Sequence, residues 1–169
     1  MHREREGMED KVSEQKIAVV LAAGKGVRMK SKLPKVLHPL LGEPMITYPV
    51  RALEEAGVSR IIMVLGDGAE QVEQVLAGRI EPVYQREQLG TGHALLMAMP
   101  KLREYIQEGN GECLVVCGDT PLLSGETLKL LAADRKAAGA AAAILTAEVD
   151  DPAGLGRIVR REGTFSAIV

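Results

Sequence analysis

Aromatic side chains are almost missing from this chain of 169 residues: no Trp, three Tyr and one Phe, 2% in all. A core must therefore be built from Val, Leu, Ile, Ala and Met. Long hydrophobic runs are missing too. None approaches the ~20 residues needed to span a membrane. The start, "MHREREGMEDKVSEQK", has no apolar stretch of the kind a signal peptide carries. Residues 1–16 read as a mobile leader, and Met8 is a second candidate start. Positive charge is not in excess either: the net charge is -2. That argues against a nucleic-acid partner held by general charge, and any anion site must be local.

Cysteine is scarce. Cys113 and Cys117 lie in "ECLVVCGD". On a strand, i and i+4 sit ~13 Å apart, whereas a disulfide needs Cα atoms within ~7 Å. They cannot bridge, and no zinc-ligand spacing surrounds them. Two buried thiols in a cytoplasmic protein is the expectation.

What is present is a strand and helix alternation. "IAVVLA" (17–22) is a continuous apolar run, the mark of a strand buried on both faces. A helix is expected from near Pro44 to Gly57, with Pro49 forcing a kink or a late start. "RIIMVLG" (60–66) is a second strand, and "AEQVEQVLAG" a helix stopped by Gly78. "IEPVYQ" (80–85) is a third strand, at or near an edge because of Pro82. A helix divided near Pro100 follows, then a fourth strand over 112–118. Ser124 caps a helix that Gly139 ends. "AAAAILTAEV" (140–149) reads as a fifth strand, and "GRIVRREGTFSAIV" as a hairpin turning at Glu162-Gly163. This order predicts an α/β fold, Rossmann-like, with a mainly parallel sheet and helices on both faces. Ligands of such sheets bind at the carboxyl ends of the strands. The polar, glycine-rich segments 23–35, 85–92 and 118–121 fall at those ends.

Lys25, Arg28, Lys30, Lys32 and Lys35 crowd into the first of these segments with no acid among them. Gly24 and Gly26 free the backbone to approach a ligand. Met29 breaks both the Walker A and the Rossmann glycine patterns. The loop is either a polyphosphate site or a solvated surface loop. In "VVCGDTPLL", Asp119 is either a Mg²⁺ carboxylate beside a substrate phosphate or the cap of a turn. In "QREQLGTGHA", Gln85 offers a paired donor and acceptor to a base edge, and Gly90-Thr91-Gly92 opens a helix whose N-terminus attracts polar ligand groups. His93 reads as a helix-start or structural histidine, not a catalytic base.

Taken together, "LAAGKGVRM…LPKVLH", "QREQLGTGHA", "CGDTPL" and "DDPAGLGRIVR" resemble one family over roughly 17–169. It is the uridylyltransferase domain of the bifunctional N-acetylglucosamine-1-phosphate uridylyltransferase/glucosamine-1-phosphate acetyltransferases. The glycine and "LPK" signature is common to many sugar-nucleotide pyrophosphorylases; "QLGTGH" and "GLGRI" are more specific. The resemblance implies transfer of a uridylyl group from UTP to N-acetylglucosamine 1-phosphate in the cytoplasm, for cell-envelope precursors, with Mg as cofactor. Leu21, Ala22, Ala23 and Gly24 would hold the uracil and ribose end. Arg28 would neutralise pyrophosphate, and Lys35 the α-phosphate. Gln85, Gly90 and Thr91 would read uracil. Cys117 and Gly118 would line the nucleotide, Asp119 would hold the metal, and Gly156 would meet the sugar.

Another sugar-phosphate or alcohol-phosphate nucleotidyltransferase, or a non-catalytic nucleotide-binding fragment, is the alternative reading. Cys117 departs from the Tyr common in the family. The family's further sugar contacts, a second metal ligand and the acetyltransferase β-helix fall beyond Val169. The resemblance therefore implies a C-terminally incomplete domain, weak or inactive by itself, and a homotrimer for the full-length parent.

Overall fold

The computed structural model describes residues 15–24, 26, 29–106 and 111–169. Strand β1, Gln15–Ala22, lies at the centre. It begins two residues earlier than its apolar run, because Gln15 and Lys16 already pair with Gly111 and Glu112. Thus residues 15 and 16 belong to the sheet, and the rest of the expected leader lies outside the described residues. β4 (Arg60–Leu65) pairs parallel to one side of β1, and β5 (Glu81–Tyr84) beyond it. β6 (Gly111–Cys117) pairs parallel on the other side of β1. The sheet order is β5-β4-β1-β6, and Pro82 sits on an edge strand as its missing N–H requires.

β1 is buried on both faces. Ala18 and Val20 face one core cluster, built with helices α1 (Thr47–Glu55), α2 (Ala69–Val75) and α4 (Gly125–Ala137). Ile17 and Val19 face the other, with Ala94, Ala98 and Leu102 of helix α3 (Thr91–Tyr105). The alternation of period 2 divides one strand between two helix layers.

Four local expectations change. Pro44 does not start a helix. It belongs to a small hairpin, β2 (Pro39–Leu40) with β3 (Glu43–Pro44), and α1 starts at Thr47. Pro49 then falls in the first turn, where its missing N–H has no intrahelical acceptor, so nothing kinks. Pro100 lies inside α3 without dividing it. Leu96, one turn earlier, is exposed, so the carbonyl that loses its partner lies on the water side. Cys117 is exposed and Cys113 only half-buried, packed against the cluster that α3 covers. Finally, 140–149 forms no strand, and 141–149 stays exposed throughout. The five alanines of 140–149 bring little apolar area to offset the entropy of ordering.

Other expectations hold. Ser124 Oγ accepts from Thr127 N–H at 3.1 Å. Gly139 closes α4 at φ +58. β7 (Ile158–Arg161) and β8 (Thr164–Ile168) turn through Glu162 and Gly163, both at positive φ.

Candidate active site

β1 and β6 are neighbours although α1 carries the chain away from β1 to one side and α3 brings it back on the other. Their carboxyl ends mark the switch point of the sheet, where a crevice must open. There the Gly118 N–H donates to the Leu21 carbonyl at 2.9 Å. A Cβ on Gly118 would meet Ile46 Cδ1 at 2.8 Å and Ala22 Cβ at 3.1 Å, so a larger residue there would have to displace the Ile46 side chain.

One 3-10 turn, Lys35–Leu37, carries Lys35. Val36 and Leu37 are buried, and the Ile46 N–H donates to the Val36 carbonyl at 2.8 Å. The turn is fixed to the core, so Lys35 is not part of a solvated loop. Its Nζ donates to Asp119 Oδ2 at 2.5 Å. The chain also passes close over it: at Gly26, φ +57, a Cβ would lie 2.7 Å from Lys35 Cβ. Lys30 and Lys32 remain exposed.

The opposite wall comes from the segment after β5. The Gln85 N–H donates to the Leu65 carbonyl at 2.8 Å. Its side chain is buried, with Nε2 3.1 Å from the Gly90 carbonyl and 2.9 Å from His93 Nδ1. Gly90, at φ +93, is the N-cap of α3, and Thr91 is its first residue. Gln88 Nε2 donates to the Ala23 carbonyl at 2.6 Å, which ties this wall to the end of β1. Sequence reasoning did not single out Gln88. It lies inside the quoted "QREQLGTGHA" run, but nothing local marks it from Glu87.

The resulting cleft holds about 340 Å³ and is lined by Leu21 to Gly24, Lys35, Gln85, Gln88, Gly90, Thr91, Cys117 and Asp119, with Val36 and Ala94 at its back. Gly118 lies at the joint beneath it. Gly156 is not brought to the cleft. It sits against Ile168 of the C-terminal hairpin. Arg28 lies outside the described residues. Partial burial, then the Asp119 carboxylate, push the Cys117 thiol pKa up, against a smaller pull from Lys35. Burial pushes Cys113 up to about 11.

Asp119 is a lone carboxylate: no group of three His, Cys, Asp or Glu suited to a metal occurs among the described residues. Such a site cannot cage a resident ion. It does fit a hard cation that one carboxylate and a ligand's phosphate oxygens hold jointly. A positive amine and a helix N-terminus, with a carboxylate able to hold a bridging cation, can neutralise and orient a polyphosphate in one crevice.

Comparison with known proteins identifies the family. A family described as MobA-like NTP transferase domain matches residues 18–163. The chain is 54% identical over 143 residues to the Bifunctional protein GlmU of Pelotomaculum thermopropionicum, covering 85% of this chain and 30% of that relative. The corresponding Exiguobacterium sp. protein is 53% identical over 156 residues, covering 92% of this chain and 34% of its own length. The chain thus spans about a third of these curated relatives. Among solved structures, a nucleotidyl transferase from Methanothermobacter thermautotroptrophicus superposes with a TM-score of 0.58 at 31% identity, covering 70% of this chain and 57% of that one.

Proposed function

This chain belongs to the MobA-like NTP transferase family, and on that premise we propose that it is the nucleotide-binding part of a UTP:N-acetylglucosamine-1-phosphate uridylyltransferase. The observation that carries the reading is the convergence of Lys35, Asp119 and the Gln85–Gly90–Thr91 wall on one crevice. The motif resemblance supports the choice of UTP and of the sugar phosphate.

In the proposed reaction an oxygen of the sugar phosphate attacks the α-phosphorus of UTP. The bond from that phosphorus to the bridging oxygen breaks, and pyrophosphate leaves. No covalent chemistry is asked of the protein, so positioning and charge neutralisation carry the rate. Lys35 neutralises the α-phosphate as charge builds, and Arg28 takes the departing pyrophosphate. Leu21 to Gly24 seat the ribose and base from their backbone. Gln85, Gly90 and Thr91 read the uracil edge. Cys117 and Gly118 form the floor. Asp119 would hold Mg²⁺, which when bound would supply positive charge to the phosphates. Gly156 is assigned to the sugar by its motif, and reaching the cleft requires the C-terminal hairpin to move towards it.

The test is binding first, then turnover. Titration calorimetry with Mg²⁺ should give a heat of binding for UTP and weaker binding for CTP and ATP. A pyrophosphate-release assay across N-acetylglucosamine 1-phosphate, other sugar phosphates and alcohol phosphates then identifies the acceptor. A chain that binds no nucleoside triphosphate, or binds all equally, refutes the proposal.

A further inference from the structure

Gln85 and Glu112 are the buried polar residues among those described. Glu112 is matched by the Arg135 guanidinium at the far end of β6, at 3.1 Å. Gln85 instead borders the cleft, and its amide can be assigned atom by atom. Nε2 faces the Gly90 carbonyl at 3.1 Å. A carbonyl only accepts, so the atom facing it must be the NH₂ and not the oxygen. The Gly90 carbonyl cannot turn away, because it also accepts from the Ala94 N–H at 3.1 Å in the first turn of α3. One amide hydrogen is thereby used. The other points at His93 Nδ1, 2.9 Å away. For that contact to be a hydrogen bond, Nδ1 must carry a lone pair and the imidazole proton must sit on Nε2. With both hydrogens engaged, Gln85 offers only its carbonyl oxygen to a ligand.

We infer that His93, through an unprotonated Nδ1, is the positioning residue that fixes Gln85 as a pure acceptor and so makes the cleft prefer a base with an N3–H, uracil, over one with a lone pair at N3, cytosine. This rests on the nucleotide reading proposed above. Uracil gives its N3 proton to an acceptor. Cytosine meets the same acceptor with a lone pair, and two acceptors facing each other leave a buried polar group unmatched. If the Nδ1 acceptor is removed, one of the two bonds that hold the NH₂ is lost, and the Gly90 carbonyl alone keeps the amide from turning. The preference for uracil is then weakened, not abolished. The hydrogen-bond directions give His93 a task that involves no proton transfer.

The test uses the 169-residue chain with Mg²⁺ and measures the ratio of UTP to CTP affinity by calorimetry. His93→Leu keeps volume and removes the acceptor. Its ratio should fall about tenfold, the size of one neutral hydrogen bond. His93→Asn carries an oxygen at the same branch point as Nδ1, and its ratio should return close to the starting value. An unchanged ratio in His93→Leu, including equal weakening of both nucleotides, overturns the inference and leaves the nucleotide reading standing. No UTP preference in the unaltered chain overturns both. Nitrogen-15 NMR of the unaltered chain checks the tautomer without any variant: Nδ1 should have the shift of a bare ring nitrogen, and a protonated Nδ1 overturns the inference even if His93→Leu does not fold.

Discussion

Lys35 Nζ and Asp119 Oδ2 stand 2.5 Å apart across 84 residues of chain. Each side chain is about a third exposed, 34% and 37%, so water screens the pair and its worth to stability is about 0–1 kcal/mol. On the proposed reading its value is pre-positioning: a cation and a carboxylate share one place, and binding would move Asp119 onto a metal and Lys35 onto phosphate oxygens.

Lys35→Ala should therefore leave the fold almost intact and damage binding. Losing up to ~1 kcal/mol in a domain of this size moves Tm by no more than about 4 °C. UTP affinity should fall tenfold or more, since a charge-assisted hydrogen bond is worth roughly 1.5–3 kcal/mol. Calorimetry of unfolding beside UTP titration compares the two, and a large Tm loss with normal UTP binding would return Lys35 to a structural role.

Asp119→Asn keeps the shape and removes the charge a hard cation needs. UTP binding in Mg²⁺ should drop to the level seen in EDTA, with Tm nearly unchanged. A variant whose binding still responds to Mg²⁺ as the unaltered chain does would leave Asp119 as the cap of its turn.

The cysteines give a pH readout. Both thiol pKa values are raised, so less thiolate is present at neutral pH than for a free cysteine. Alkylation of Cys117 should be slow at pH 7 and rise steadily through the alkaline range, and Cys113, at about 11, should lag behind it. UTP with Mg²⁺ should protect Cys117 and not Cys113, because only Cys117 lines the cleft. Peptide mass spectrometry separates the two, and equal protection would move the ligand elsewhere.

Gly66→Ala probes the frame around the site. A Cβ there would lie 2.7 Å from the Ala23 carbonyl oxygen, the same oxygen that accepts from Gln88. Backbone cannot yield as a flexible side chain does, so the expected cost is roughly 1–3 kcal/mol together with weaker UTP binding. Loss of stability with unchanged UTP affinity would separate the Ala23–Gln88 tie from the ligand site.

Much of this molecule is local chemistry, and the sequence by itself determined it. Residues 17–22 are apolar without interruption, so they had to be a strand buried on both faces. Ser124 had to cap and Gly139 to end a helix, because an oxygen acceptor and a left-handed residue are what those positions need. Glu162-Gly163 between two alternating runs had to be a turn. Gly24, Lys35, Gln85, Thr91 and Asp119 were each visible within the polar, glycine-rich segments that follow strands. What the tertiary structure alone decided is which of them meet. Pairing Lys35 with Asp119 and Gln88 with Ala23 depends on β1 lying between β4 and β6, and strand order is set by which helix layers can bury which faces, a sum over the whole chain. The same sum left 140–149 out of the sheet despite its strand-like composition, and Gly156 with the hairpin instead of the cleft. A segment's periodicity states how it can be buried; only the assembled core decides whether anything is there to bury it against.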